Sequence, residues 1–94
     1  MRLDGERVLL EGPVNIETAP ALFAQARATC RDGATLLDFA AVGEVDSAAV
    51  AMVVALLRDA EAAGRRLALA NVPAAMATLA ELYSVADVIA PPRP

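Results

Sequence analysis

The sequence predicts a small α/β fold in one domain, a mixed and mostly parallel sheet with helices packed on it. Three observations predict it. Two short apolar runs, Ala34 to Phe39 and Leu67 to Ala70, bracket a long helical segment that closes at Gly64, the pattern of a strand, a crossover helix and a parallel strand. A second helical segment, closed by Gly33, stands before the first of those strands. The chain is 57% hydrophobic yet has only Phe23, Phe39 and Tyr83 as aromatic residues, so its core is built from Ala, Val and Leu, side chains that let helices lie close on a sheet. At 94 residues there is room for one core. Residues 1–90 are expected to form that domain, with 91–94 as a flexible tail.

Each element has a local reason. Leu3 through Gly12 reads as a hairpin, with Asp4-Gly5 as the turn and Val8, Leu9 and Leu10 as strand formers beyond it. Thr18 is the expected N-cap of the first helix, in which Ala19, Leu22, Phe23, Ala26 and Cys30 recur at helical spacing. Pro20 fits near its start, where a missing N–H is not needed. Ala34 to Phe39 reads as a buried strand centred on Leu36 and Leu37. The second helix runs from about Ser47 to Ala63, with Arg65 and Arg66 beside its negative end. Its crossover to the strand Leu67 to Ala70 is expected to be right-handed. Asn71-Val72-Pro73 opens a third helix whose inward stripe is Met76, Leu79, Ala80 and Tyr83, and Val88-Ile89 reads as a last short strand or helical turn.

The composition excludes several functions. A net charge of -4 and a pI near 4.6 argue against binding nucleic acid, which needs a basic surface. One cysteine, Cys30, and no histidine leave neither an internal disulfide nor the usual zinc ligands, and a reducing, cytoplasmic setting is the default. The start MRLDGER lacks an apolar signal core, and no apolar run reaches the length of a membrane span. Work at a membrane would therefore go through another subunit. Without histidine or lysine the commonest general base, Schiff-base amine and phosphate-binding lysine are missing. No phosphate-binding or dinucleotide glycine loop is present, and nothing marks Asp38, Glu44 and Asp46 as a catalytic pair. The expectation is a protein that is not an enzyme and carries no cofactor or metal.

The informative stretch is EVDSAAVAMVVALL, Glu44 to Leu57, an acid and a hydroxyl set before ten apolar residues. At about 100° per residue, Ala51, Val54, Arg58, Glu61 and Arg65 fall within about 40° of Ser47. Three of the five are charged, which makes this the outer face. Ala49, Met52, Leu56, Ala60 and Ala63 lie opposite, toward the sheet. The first two turns of the outer face offer Ser47, Val50, Ala51 and Val54, followed by Arg58. This strip reads either as a partner contact or as an ordinary covered helix in an alanine-rich chain. Either Asp46 or Ser47 can cap the helix. An exposed serine there is also a place where the helix dipole would favour a phosphate.

The segment from Thr35 to Ile89, with a strand ending in Asp38, then Val42, then Val45-Asp46-Ser47 opening a long apolar helix and Gly64 before the next strand, resembles the STAS domain. With the hairpin and first helix, the resemblance covers nearly the whole chain. Within that family, LANVPAAMATLAELYSVADVI is most similar to the small MlaB-type subunits of the Mla phospholipid-transport ABC complex, which acts in outer-membrane lipid asymmetry. The resemblance implies a cytoplasmic accessory subunit that binds the ATPase subunit and supports its assembly and activity. The contact lies around the hydroxyl after the Asp, here Ser47, with Val50, Ala51, Val54 and Arg58 continuing the strip. Asp46 is then expected to hold the helix entry, and Asp46 and Asp38 are the residues expected to serve as helix cap and to position loops. The family's antagonist branch implies an alternative, in which a serine kinase phosphorylates Ser47 and so controls binding to an anti-sigma factor. That branch carries D-S-x-G, whereas this chain has Ala49 at the glycine position.

Overall fold

The computed structural model describes residues 1–83; Val88-Ile89 and the expected tail lie outside the described residues. The chain forms β1 (Arg2–Asp4), β2 (Arg7–Val14), α1 (Ala19–Arg31), β3 (Leu36–Val45), α2 (Ser47–Ala62), β4 (Ala68–Ala70) and α3 (Ala74–Leu82). The four strands make one sheet in the order β1-β2-β3-β4. β1 and β2 form the antiparallel hairpin turned at Gly5, and β2, β3 and β4 run parallel.

Period-two alternation sorts the strand side chains. Val8 and Leu10 of β2 and Leu37 and Phe39 of β3 are buried with Ala26 and Cys30 of α1, and with Ala49, Met52, Val53 and Leu56 of α2. α1 and α2 pack on each other, as two successive crossovers of one hand stepping the same way along a sheet require. Met76 and Ala80 of α3 complete the core. Ala63 and Tyr83, expected to point inward, are exposed instead. Each follows its helix as the C-cap residue, beyond the last turn that covers the core.

β3 is longer than the expected Ala34 to Phe39. It continues through AAVGEV to Val45, because β2 runs beside it and pairs Glu11 with Ala41, Gly12 with Val42 and Val14 with Val45. Local preference for strand is weak in that stretch, and pairing overrides it. β3 gains one residue on β2 between Leu9↔Asp38 and Glu11↔Ala41, and another between Gly12↔Val42 and Val14↔Val45. These bulges bend the ribbon that delivers the chain to Asp46.

Both long helices end in the same way. At α2, Gly64 N–H donates to Glu61 O and Arg65 N–H to Ala60 O, and at α1, Gly33 N–H donates to Cys30 O and Ala34 N–H to Thr29 O. This is the double bond of the Schellman motif, and Gly64 sits in the left-handed region at φ 68°. A Cβ at Gly64 would meet nothing within 4 Å, so the cost of adding one is conformational alone. Gly64→Ala is expected to destabilise the fold by about 1 kcal/mol and to lower Tm by about 4–8 °C in a thermal melt.

The start of α1 differs from expectation. Thr18 does not cap it: its backbone is already helical and its side chain makes no cap bond. Its Oγ1 instead donates to Pro13 O at 2.8 Å and accepts from Asn15 N–H at 3.0 Å. Asn15 takes the capping role three residues earlier, its Oδ1 accepting from Glu17 and Thr18 N–H at 2.9 and 3.1 Å. The β2–α1 loop is thereby folded against the end of β2.

Candidate functional site

The entry to α2 is organised by Asp46. Its backbone is extended, as an N-cap requires, and its Oδ1 accepts from Ala48 N–H at 2.8 Å. Its Oδ2 accepts from Ile16 N–H at 3.1 Å, and its own N–H donates to Val14 O at 3.3 Å. One carboxylate thus closes a free amide of the helix and ties the β2–α1 loop to the helix start. Asp46→Ala is expected to cost about 1–2 kcal/mol and to speed amide hydrogen exchange at Ile16 and Ala48, with Asp46→Asn recovering most of the loss.

With Asp46 as the cap, Ser47 is the first helical residue. It is exposed, and its hydroxyl makes no hydrogen bond among the described residues. Ala51 and Arg58 are exposed on the same edge, Val54 is half-buried, and Arg58 makes no ion pair among the described residues. Val50 departs from the strip as read from the sequence. It is 3% exposed, because α3 packs against α2 on that side, and it forms the floor of a groove rather than part of the outer surface.

A residue with no mark in the sequence dominates the surface. Ile16, in the β2–α1 loop, is 76% exposed and stands as a ridge between two shallow apolar grooves. On the α1 side a groove of about 330 Å³ is walled by Pro20 and Phe23 of α1 and by Met52 and Ala55 of α2. On the other side a groove of about 450 Å³ is bounded by Ser47, Val50, Val54 and Tyr83. Ala48 and Ala51 line both. The recess follows from composition: alanines along the outer side of α2 leave its backbone low between higher neighbours. A lone apolar residue in a loop has no periodicity, so the sequence offered no signal for Ile16 beyond its placement two residues after a strand.

Among the described residues Tyr83 is the one titratable side chain lining either groove. The surface offers apolar area, an exposed hydroxyl at its edge and a fixed ridge, the features of a protein-binding patch.

Asp38 belongs to a different place. Alternation in β3 puts Leu37 and Phe39 under the helices and Asp38 on the opposite face of the sheet. There it is 3% exposed, accepting from Asn71 Nδ2 at 3.0 Å, Ala40 N–H at 2.9 Å and Arg7 Nη1 at 3.3 Å. The Asn71 and Ala40 hydrogen bonds, with the nearby Arg7 charge, hold its carboxyl below the usual carboxylate range. Asp38 therefore positions the loop after β4, where Asn71 adopts φ 56°, and not the Asp46 helix entry. The structure brings Asp46, Ser47, Ala51 and Val54 together around Ile16 and places Asp38 apart from them.

Comparison with known proteins bears on this arrangement. Anti-sigma factor antagonist SpoIIAA in its unphosphorylated form has a similar structure, with a TM-score of 0.65 at 20% identity over 86% of this chain and 73% of that one. Mglu is similar over 78% of this chain and 19% of its own, with a TM-score of 0.57 at 25% identity. A search of the curated proteins returns no match. The family model described as Mlab, STAS domain matches residues 2–90. A sheet crossed twice by helices, an Asp-capped second helix with an exposed serine at its head, and a family match over almost every residue converge: the chain belongs to the STAS domain family, on its Mlab-type branch.

Proposed function

We propose that this protein is a non-enzymatic accessory subunit that docks the Ser47 end of α2 on the ATPase of a phospholipid-transport ABC complex, at the cytoplasmic face of the inner membrane, and supports its assembly and activity. The observation that carries the reading is the exposed Ser47, whose hydroxyl makes no hydrogen bond among the described residues, at the edge of the paired apolar grooves around Ile16. The Mlab-type family match supports the choice of partner. Among the described residues no helix is long and apolar enough to cross a membrane, and in this reading the complex holds the protein at one. Capture of the tagged protein from cells, followed by mass spectrometry, tests the reading: an ABC ATPase subunit is the expected partner, and its absence from the captured proteins removes the proposal.

A second reading is a phosphorylation-controlled antagonist of an anti-sigma factor. The likeness to SpoIIAA favours it, as does the position of Ser47, where a phosphate would meet the positive end of α2. Ala49, buried where that branch carries glycine, weighs against it. Incubation with a cognate serine kinase and ATP separates the two, because the switch demands a stoichiometric phosphate on Ser47 by intact mass and the subunit does not.

A further inference from the structure

The apolar groove between α1 and α2 ends in a cluster of arginines. Phe23 lines both the 330 Å³ groove and an adjoining hollow formed with Arg27, Arg31 and Asp32, and the Arg27 guanidinium lies over the Phe23 ring at 5.9 Å. Arg27, Arg31 and Arg65 all converge on Asp59 of α2, at 3.5, 2.8 and 3.4 Å. Asp59 holds Arg31 by two hydrogen bonds and Arg65 by one. The Arg27 Nε faces Asp59 Oδ1 at ion-pair distance and, among the described residues, is buried without a hydrogen-bond partner. Each guanidinium carries five N–H donors, and among the described residues Asp59 and the Cys30 carbonyl accept four hydrogen bonds from Arg31 and Arg65. Arg27 and Arg31 are about half exposed. Three cations stand against the carboxylates of Asp59 and Asp32, a positive spot on a chain of net charge -4.

The seam therefore changes character along its length. At the Ile16 end it is apolar and recessed, and at the Arg31 end it is cationic, with Arg27 and Arg31 reaching the surface. Ala48 and Asp59, eleven residues apart on α2, set that length at about 16 Å. We infer that the seam between α1 and α2 binds an amphipathic helix of the partner protein, its apolar face against Phe23 and Ala51 and a carboxylate at its far end on Arg27 and Arg31. This rests on the reading of the Ile16 surface as a docking site and specifies the partner element it takes. Charge complementarity sets the direction in which that helix lies, since reversing it would put the carboxylate against Ile16 and leave the guanidiniums facing apolar side chains.

The test uses the isotope-labelled protein and two synthetic helical peptides with the same leucine face, one ending in two glutamates and the other in two glutamines. The glutamate peptide is expected to bind about fivefold or more tightly, shifting the amides of Phe23, Arg27 and Ala51, and to lose that advantage at about 0.5 M NaCl. Arg27→Gln is expected to equalise the peptides. Asp59 keeps Arg31 and Arg65 in that variant, and its melting curve checks that the fold stands. Equal affinities in the parent protein, shifts confined to another face, or no binding overturns the inference. Sedimentation with phosphatidylglycerol vesicles that is lost in Arg27→Gln overturns it too, in favour of a lipid headgroup. An ATPase subunit captured undiminished by Arg27→Gln would overturn this inference and leave the proposed function standing. Failure to capture any ATPase subunit would remove that function while the peptides still decide the seam.

Discussion

Ser47→Arg is expected to abolish capture of the ATPase subunit, a loss of about 100-fold or more in affinity, while lowering Tm by no more than about 8 °C. The two effects separate because Ser47 serves the surface and not the fold. Its hydroxyl has no partner among the described residues, and the capping of α2 falls to Asp46. The fold then bears only a cation at the positive end of a helix, about 0.3–1 kcal/mol. A partner seated on the groove bounded by Ser47, Val54 and Tyr83 meets a long charged side chain that must be desolvated or displaced, in the part of a contact where substitutions act most strongly. Co-purification of the ATPase subunit at the parent level would show that this end of α2 is not the contact. A melt lowered much further would show that Ser47 has a structural role that its geometry does not predict.

The largest effect on stability is expected from Asp38. Asp38→Ala removes the acceptor of the Asn71 and Ala40 donors and the buried partner of Arg7. Arg7 retains Asp4 at 2.8 Å, so the loss is dominated by the two other donors, about 2–3 kcal/mol and about 10–20 °C in Tm. The effect depends on pH with a definite sign. Because the folded carboxyl titrates below its ordinary value, its contribution is complete above about pH 4 and fades as pH falls through the lowered folded value. Chemical denaturation of parent and variant at neutral pH and in acid is expected to show a gap that narrows in acid. A gap that widens there would mean that the carboxyl is held protonated in the fold.

How far these features were legible in the sequence depends on how local their causes are. Gly33 and Gly64 end their helices through left-handed residues and hydrogen bonds to the preceding turn, and such signals are written in adjacent letters. So is the Asp46 cap, although the side-chain chemistry of Asp46 and Ser47 suits either to the place and it is the resemblance that assigns the helix entry to Asp46. The core face of α2 was readable from periodicity in Ala49, Met52, Leu56 and Ala60, all buried. Val50 was not, because its burial is imposed by α3, an element about 25 residues later. The second half of β3 exists through pairing with β2. The Arg27, Arg31, Asp59 and Arg65 cluster needs α1, α2 and the end of α2 to be placed together before four separated charges become one feature. Ile16 shows the limit most plainly, since exposure in a loop is decided by the path of the chain and not by its neighbours in sequence.

The hydrogen bond from Ile16 N–H to the Asp46 carboxylate also bears on the kinetics of recognition. Ile16 belongs to the loop before α1 and Ser47 to the start of α2, thirty-one positions apart, yet the Asp46 carboxylate accepts from Ile16 N–H and from Ala48 N–H in the first turn and so ties the loop to the helix start. Ridge and hydroxyl are thus presented at a set spacing before any encounter, and little loop entropy remains to be lost when a partner arrives. If the proposed partner docks at this surface, its association is a docking of rigid shapes, and loosening the clamp is expected to slow productive encounters without removing a single atom of the ridge or the hydroxyl.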